Sequence, residues 1–156
     1  MNIAAISNET SSLFMEDINA IDFTMVKQKL GDKEEGLGWS GEQCDEAETE
    51  YKKFLALKRT YPEKEIVPNK QVDLFWHQHI LDTQQYAKDC ENIFGYFLHH
   101  FPYFGMRDEQ DMQDLLDAFE ATKALHVLHF GNHLDGNAPK CKTHHCRTGC
   151  KPVKCK

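Results

Sequence analysis

Apolar residues recur every three or four positions through most of the chain before residue 131, the spacing that lines one face of an α-helix. No segment alternates apolar and polar residues in the manner of a β-strand. The last 19 residues offer only Val153 as apolar support for a fold. The sequence therefore predicts an all-α protein, a single compact helical domain of about five helices with a flexible cysteine-rich C-terminal tail.

Capping residues set the predicted helix boundaries. Ser40 with Gln43, and Asp82 with Gln85, have the spacing of capping boxes, in which a side chain before the helix accepts a backbone N–H of the first turn. Glycine and proline mark helix ends. The predicted helices span 18–30, 40–61, 70–80, 83–100 and 108–130. Their predicted starts are Asp17, Ser40, Asn69, Asp82 and Asp108. The first, second and fifth helices are predicted to stop at Gly31, Pro62 and Gly131.

Helical spacing also predicts which residues face the core. The buried face of the third helix carries Val72, Phe75, Trp76 and His79. The corresponding faces of the other long helices hold Ala47, Tyr51, Phe54 and Leu55, then Tyr86, Cys90, Ile93, Phe94 and Phe97, then Met112, Leu115, Leu116, Phe119, His126 and Val127.

Charge divides the chain into two parts. The net charge is −7, but residues 138–156 hold six basic side chains and no acidic one, so the remaining 12 basic and 25 acidic residues leave the body at −13. We predict a loosely ordered N-terminus over 1–16, a helical domain over 17–137 and a basic Cys/His-rich tail over 138–156. The acidic body argues against nucleic-acid binding, and the tail has no aromatic residue for base stacking.

The cellular setting is predicted from what the sequence lacks. No apolar run approaches the ~20 residues that span a bilayer, and the first residues do not have the pattern of a secretory signal. We therefore expect a cytoplasmic protein that does not bind membranes. Its six cysteines are expected to be free thiols in that reducing compartment.

The sequence WHQH, residues 76–79, carries the candidate chemistry. His77 and His79 lie about 200° apart on an ideal helix, so one ion could bind both only if the helix end is frayed or 3₁₀. Asp73 lies four residues before His77, where its carboxylate could orient the imidazole of a metal ligand. His99 or His100 could supply a third nitrogen. A structural polar cluster and acid/base catalysis are the alternatives.

The order of these residues resembles the glycine-rich domain-containing protein-like family, a domain of unknown function. The resemblance covers residues 66–130, and it implies a site with His77, His79 and His100 as metal ligands and with Asp73 and Tyr86 beside them. Tyr86 is otherwise a core residue with a polar tip. The residues that carry the resemblance are Asp73, Trp76, His77, His79, Tyr86, Cys90, Gly95 and the segment HHFPYFGMR at 99–107.

The tail holds a second set of candidate ligands. Cys141, Cys146, Cys150 and Cys155 have the pattern C-x4-C-x3-C-x4-C, and two histidines lie inside its first interval. Thiolates with imidazoles suit zinc or copper(I). These spacings differ from the paired CxxC of a zinc ribbon, so a redox or disulfide-forming tail and a peptide modified by partner enzymes stay open.

Taken together, these residues predict a small cytosolic metal-binding protein with a histidine site in its helical body and a thiol-rich metal-binding or redox tail. The expected cofactor is a transition metal (zinc, iron or copper). One alternative is a metal-dependent enzyme acting on a small molecule or peptide, and another is a peptide scaffold whose tail is modified by a partner enzyme. The chain has no phosphate-binding loop or nucleophile elbow that would name a substrate.

Overall fold

A computed structural model describes residues 13–139, and these residues contain six helices and no strand. The all-α prediction is confirmed for this part of the chain. Most of the predicted cysteine-rich tail lies outside it. The helices are α1 (Glu16–Asn19), α2 (Thr24–Gly31), α3 (Gly41–Thr60), α4 (Lys70–Leu81), α5 (Thr83–Phe94) and α6 (Glu109–Phe130).

Helices α3 and α4 form the centre of the domain. Helix α2 contacts both, α5 contacts α4, and α1 and α6 contact α3. The core between them includes Tyr51, Phe75 and Trp76. The predicted inward face of α4 is confirmed, since Val72, Phe75, Trp76 and His79 are all buried. Burying that face fixes which side chains of α4 point towards solvent.

The predicted helix starts are confirmed for four of the six helices. A polar side chain before each accepts a backbone N–H from the first turn, which satisfies a donor that has no partner inside the helix. The bonds are Gln43 N to Ser40 Oγ (3.1 Å), Val72 N to Asn69 Oδ1 (2.8 Å), Gln85 N to Asp82 Oδ1 (3.4 Å) and Asp111 N to Asp108 Oδ1 (2.8 Å).

The prediction of one continuous first helix is wrong, because the chain breaks between α1 and α2. Asp17 does not cap this segment, because it lies inside α1, whose N-cap residue is Met15; its carboxylate accepts from the Arg59 guanidinium at 2.6 Å. Phe23, which immediately precedes α2, is buried with its ring 5.2 Å from that of Phe75 and 5.5 Å from that of Tyr51. The break therefore accompanies the entry of an aromatic side chain into the core.

The fourth predicted helix is too long. Helix α5 ends at Phe94, because Gly95 adopts a left-handed conformation with φ of +74° that stops the helix. Phe97, predicted to be buried on this helix, is 44% exposed. The five residues after Gly95 instead form a non-helical segment that carries His99 and His100.

The buried face of the last helix is rotated relative to the prediction. Leu115 and Phe119 are buried as expected, but Val127 is exposed. The inward positions near the end of α6 are polar ones, Thr122, His126 and His129. The predicted burial of His126 is confirmed, but Thr122 and His129 were missed, since apolar spacing does not reveal polar side chains that are buried with hydrogen-bond partners.

The chain returns to α4 after its last helix. The backbone N–H of Lys70 donates to the carbonyl of Asn137 at 2.9 Å. Leu134 and Ala138 are buried in a second small apolar cluster with residues of α6. The packed body thus continues to Ala138, one residue past the predicted domain end. No helix among the described residues is long and apolar enough to cross a membrane.

Candidate metal centre

Two members of the candidate centre lie one turn apart on α4. Asp73 and His77 are separated by four residues, so both side chains lie on the same face of the helix. The Asp73 carboxylate is buried, whereas the His77 side chain is 46% exposed. Phe75 and Trp76 point into the core, so the face that carries Asp73 and His77 lies at the edge of the core. The centre is therefore anchored from within and open towards solvent at His77.

The third member, His100, comes from the non-helical segment after α5. The Tyr86 hydroxyl donates to the Leu98 carbonyl at 2.5 Å, and the Trp76 Nε1–H donates to that hydroxyl oxygen at 3.0 Å. The Trp76 ring also packs against His100 with the ring centroids 4.2 Å apart. Tyr86 thus supports the centre through the backbone near His100, and it makes no hydrogen bond to any histidine of residues 13–139.

The three side chains bring their ligand atoms together at distances that suit one ion. His100 Nε2 lies 2.9 Å from Asp73 Oδ1, and His77 Nε2 lies 3.3 Å from Asp73 Oδ2. The two histidine Nε2 atoms are 3.0 Å apart. Two ligands about 2.0–2.1 Å from one ion, at angles between octahedral and tetrahedral, are separated by about 2.8–3.4 Å. These residues form a group that could hold a metal ion.

The local electrostatics favour the form of His77 that binds metals. Partial burial lowers its pKa below the ordinary value of 6.5, and a positive charge on His100 would lower it further, whereas the Asp73 carboxylate raises it. Burial dominates, so the neutral imidazole is favoured. A neutral imidazole offers the lone pair that a metal ion requires.

His79 belongs to a different part of the molecule. Its Nδ1 lies 2.8 Å from the Tyr51 hydroxyl, and its Nε2 lies 2.8 Å from the carboxylate of Asp89. All three residues are buried. Helix α4 stays regular to Leu81, so no frayed end turns His79 towards His77. The structure brings His77 and His100 together with Asp73, and it does not bring His79 to them.

The burial of His79 keeps its ring neutral, and its two partners define which ring nitrogen carries the hydrogen. Burial lowers the pKa of His79 below 6.5, so the ring is neutral, and burial holds the pKa of the Tyr51 hydroxyl well above its usual value of 10. The protonated hydroxyl donates to Nδ1, which leaves Nε2–H to donate to the Asp89 carboxylate. Every polar atom of the ring then has a partner, and His79 acts as a structural bridge between three helices.

We predict that the protein loses stability as the pH falls below about 6.5, because the unfolded chain binds protons that folded His77 and His79 resist. The stabilising effect is fully present above the unfolded pKa and declines as the pH falls towards the lowered folded values. Urea midpoints at about pH 7.5 and about pH 5.5 would measure it. Equal midpoints, or a higher one in acid, would contradict the prediction.

His99 and Cys90 do not belong to the candidate centre. His99 is exposed and its ring packs against Phe97, 4.9 Å between centroids. Cys90 is buried and free, and burial raises its pKa, as expected of an inert thiol. Cys141, Cys146, Cys150 and Cys155 lie outside the described residues.

Sequence reasoning missed two roles. Asp73 was expected to orient a ligand from behind, but its carboxylate is itself a member of the group that could hold an ion. Asp89 was not identified at all. The predicted start of a new helix at Asp82 was a usable signal, because it places the start of α5 beside the end of α4, where His79 lies.

Comparison with known proteins gives one match. No curated protein and no solved structure matches the chain significantly. The sequence profile of the UCP032817-like family matches residues 16–124, a span that contains Asp73, His77 and His100 as well as the buried His79 bridge. This match covers more than half of the sequence, and the protein therefore belongs to the UCP032817-like family.

Proposed function

We propose that the protein binds one transition-metal ion through Asp73, His77 and His100. The observation that carries this proposal is that the Nε2 atoms of His77 and His100, which come from two separate segments, lie 3.0 Å apart, and each lies within 3.3 Å of an oxygen of the Asp73 carboxylate. A purely structural cluster would need only one hydrogen bond for each ring. Here two histidine nitrogens face the same carboxylate and each other, which is the arrangement that a shared cation favours.

The donor set narrows the choice of metal. Two imidazole nitrogens and one carboxylate oxygen suit zinc or non-haem iron(II), whereas copper(I) prefers sulfur ligands. We therefore expect zinc or iron at this centre in preference to copper. The carboxylate neutralises part of the charge of the ion, and the burial of Asp73 strengthens that attraction relative to a fully solvated side chain.

A metal-dependent enzyme is the second candidate function. Three protein ligands leave coordination positions open, which is typical of catalytic metal sites, whereas structural zinc sites are closed by four. The exposure of His77 opens the centre to solvent. A metal at this position would polarise an oxygen of a bound small molecule or peptide, or activate a bound water.

The relationship to the glycine-rich domain-containing protein-like family is likewise a proposal. It rests on the order of the residues that build the centre, from Asp73 through Trp76, His77 and Tyr86 to His100. Their association in space supports it, since Trp76 and Tyr86 hold the segment that delivers His100. The modification of the tail by a partner enzyme and the cytoplasmic setting remain predictions from the sequence.

Metal binding is best tested in full-length protein whose four tail cysteines are replaced by serine, so that the tail offers no thiolate ligand. This protein is expected to bind one equivalent of Zn²⁺ or Fe²⁺ in calorimetric titration under anaerobic, reducing conditions. A further His77→Ala, His100→Ala double replacement should abolish that binding. His99→Ala is the matched control, because His99 neighbours His100 but lies outside the group.

The titration has a clear opposing outcome. If the double-alanine protein keeps the stoichiometry and affinity of its parent, the centre does not bind metal. Circular dichroism should show the same helical content in all three proteins, since His77 is exposed and His100 lies outside the helices.

A further inference from the structure

We propose that the metal centre binds a small ligand that combines an anionic oxygen-donor group with an aromatic ring. The oxygens bind the ion, and the ring packs against Phe101 and Tyr103. This inference rests on the metal binding proposed above for Asp73, His77 and His100. It adds the chemical class of the ligand that occupies the coordination positions left open by those three residues.

Exposed apolar side chains are concentrated beside the centre. Residues 96–106 lie on both sides of His100 and carry five of the eleven large apolar side chains that are exposed among residues 13–139, far more than an even distribution along the chain would give. On α4, the exposed Leu81 lies one turn after His77 on the same face. Both segments that supply metal ligands therefore also present apolar side chains to solvent. The five in the segment after α5 are Tyr96, Phe97, Phe101, Tyr103 and Met106, each 44–59% exposed.

The segment that carries the aromatic residues is anchored at both ends. The Leu98 carbonyl accepts from the Tyr86 hydroxyl at 2.5 Å. The buried Asp111 carboxylate accepts from the backbone N–H groups of Gly105 at 2.7 Å and Arg107 at 3.1 Å. Fixed ends limit the conformations of the residues between them. The exposed rings are thus held in place before a ligand arrives, and binding orders fewer groups.

Gly105 shows how closely the second anchor is packed. Its φ is +86°, and a Cβ at this position would lie 2.5 Å from Cδ2 of Leu115. A side chain there would push the segment away from Leu115, which is buried in the second apolar cluster. The turn that follows the aromatic residues therefore packs directly on the body of the domain.

Phe101 and Tyr103 follow the ligand His100 along the chain. Phe101 is its immediate neighbour, so their Cα atoms are about 3.8 Å apart. The rings of Phe101 and Tyr103 lie 5.6 Å apart in an edge-to-face arrangement, and both are exposed. Two such rings offer a face and an edge to a third ring, and aromatic contacts of this kind contribute affinity beyond the area that they bury.

Charge at the centre favours an anion. A divalent ion bound by one carboxylate and two neutral imidazoles keeps a net charge of about +1, which attracts an oxyanion to the open positions. The exposed Arg107 guanidinium lies 5.2 Å from the centroid of the Phe101 ring. It also binds Asp111, so the ion supplies most of the attraction. Because residues 1–137 carry a net charge of −13, the rest of the body repels an anion.

The extent of the aromatic surface fits a small molecule better than a protein partner. An aromatic side chain has about 150–250 Å² of surface to bury, and about half of each of the four rings in residues 96–106 is exposed, which gives about 400 Å². A stable protein interface buries about 800 Å² on each partner. One ring joined to a chelating group needs far less, so we assign the surface to a small ligand.

Two hydroxamic acids test the inference, because both bind zinc through the same two oxygens and differ only in the attached group. Benzohydroxamic acid carries a phenyl ring, and acetohydroxamic acid carries a methyl group. Each would be titrated by calorimetry into zinc-loaded full-length protein whose tail cysteines are replaced by serine. We expect the phenyl compound to bind about tenfold more tightly, the gain from packing one ring against two exposed rings.

Replacing the two rings should remove this preference. In the Phe101→Ala, Tyr103→Ala protein, we expect the two acids to bind with nearly equal affinity. The Phe101→Leu, Tyr103→Leu protein keeps apolar volume but has no rings, so it should lose most of the preference, and it provides the test if the alanine protein does not fold. Phe14→Ala is the matched control and should keep the preference, because the exposed Phe14 lies against Arg59 of α3.

The outcomes separate this inference from the proposed function. If zinc-loaded protein binds both acids equally or binds neither, or if the ring replacements leave the preference unchanged, the inference is wrong while metal binding stands. The His77→Ala, His100→Ala protein should bind neither acid, and binding of the phenyl compound by this protein would also overturn the inference. If this protein binds zinc as its parent does, the proposed function is wrong and the inference fails with it.

Discussion

Replacing Trp76 with alanine is expected to lower the free energy of unfolding by about 3 to 5 kcal/mol, the cost of removing a large aromatic side chain from a packed core. Trp76 is 5% exposed and its ring lies 4.9 Å from that of Phe54. The replacement also leaves the Tyr86 hydroxyl without the indole donor. Urea denaturation followed by circular dichroism would measure the change.

Two further replacements make the result on Trp76 interpretable. Trp76→Phe keeps an aromatic ring but loses the N–H, so its cost should lie between those of the wild type and Trp76→Ala. His77→Ala removes a half-exposed ring and should change stability much less. If Trp76→Ala were no more costly than His77→Ala, the inward face of α4 would not stabilise the domain as described.

Replacing His79 with alanine is expected to cost about 3 kcal/mol, because it leaves the buried, charged Asp89 carboxylate without the imidazole N–H that donates to it. The Tyr51 hydroxyl, in the centre of the core, would also lose its hydrogen bond. Tyr51→Phe is the milder control, with an expected cost of about 1 kcal/mol for one hydrogen bond. Urea denaturation would again give the values.

The two histidines of WHQH are expected to differ in their effect on metal binding. His79→Ala should bind the ion with wild-type stoichiometry in conditions where it remains folded, and His77→Ala should lose it while keeping the fold. A His79→Ala protein of unchanged stability that no longer binds metal would reverse these assignments and restore the interpretation in which both residues are ligands.

Local chemistry made much of the fold predictable. Asn69 and Asp108 were identified as helix starts because a capping side chain acts within three residues of its own position. Gly95 was read as part of a helix because apolar residues continue at helical spacing to Phe97. The left-handed conformation of Gly95 nevertheless ends the helix at Phe94. The spacing of apolar residues alone does not show where a helix ends.

The candidate site was predictable only in part, for a related reason. Asp73 and His77 are neighbours on one helix, so their spacing revealed them. The approach of His100 depends on how the segment after α5 folds back, which requires the bond from Tyr86 to Leu98. The partners of His79 come from other helices, and the pairing of Tyr51 with a histidine 28 positions later has no signature in the sequence.

The contacts of the Asp73 carboxylate with both histidine rings have a consequence for how fast an ion could bind. The two histidine Nε2 atoms already lie 3.0 Å apart, and the ligand atoms of all three residues lie within 4.8 Å of one another. An arriving ion would displace shared protons and would not need to wait for side chains to assemble, so preorganisation lowers the entropic cost of chelation. Capture would then be limited by the exchange of the ion's own hydration waters, and by deprotonation of the rings in acid.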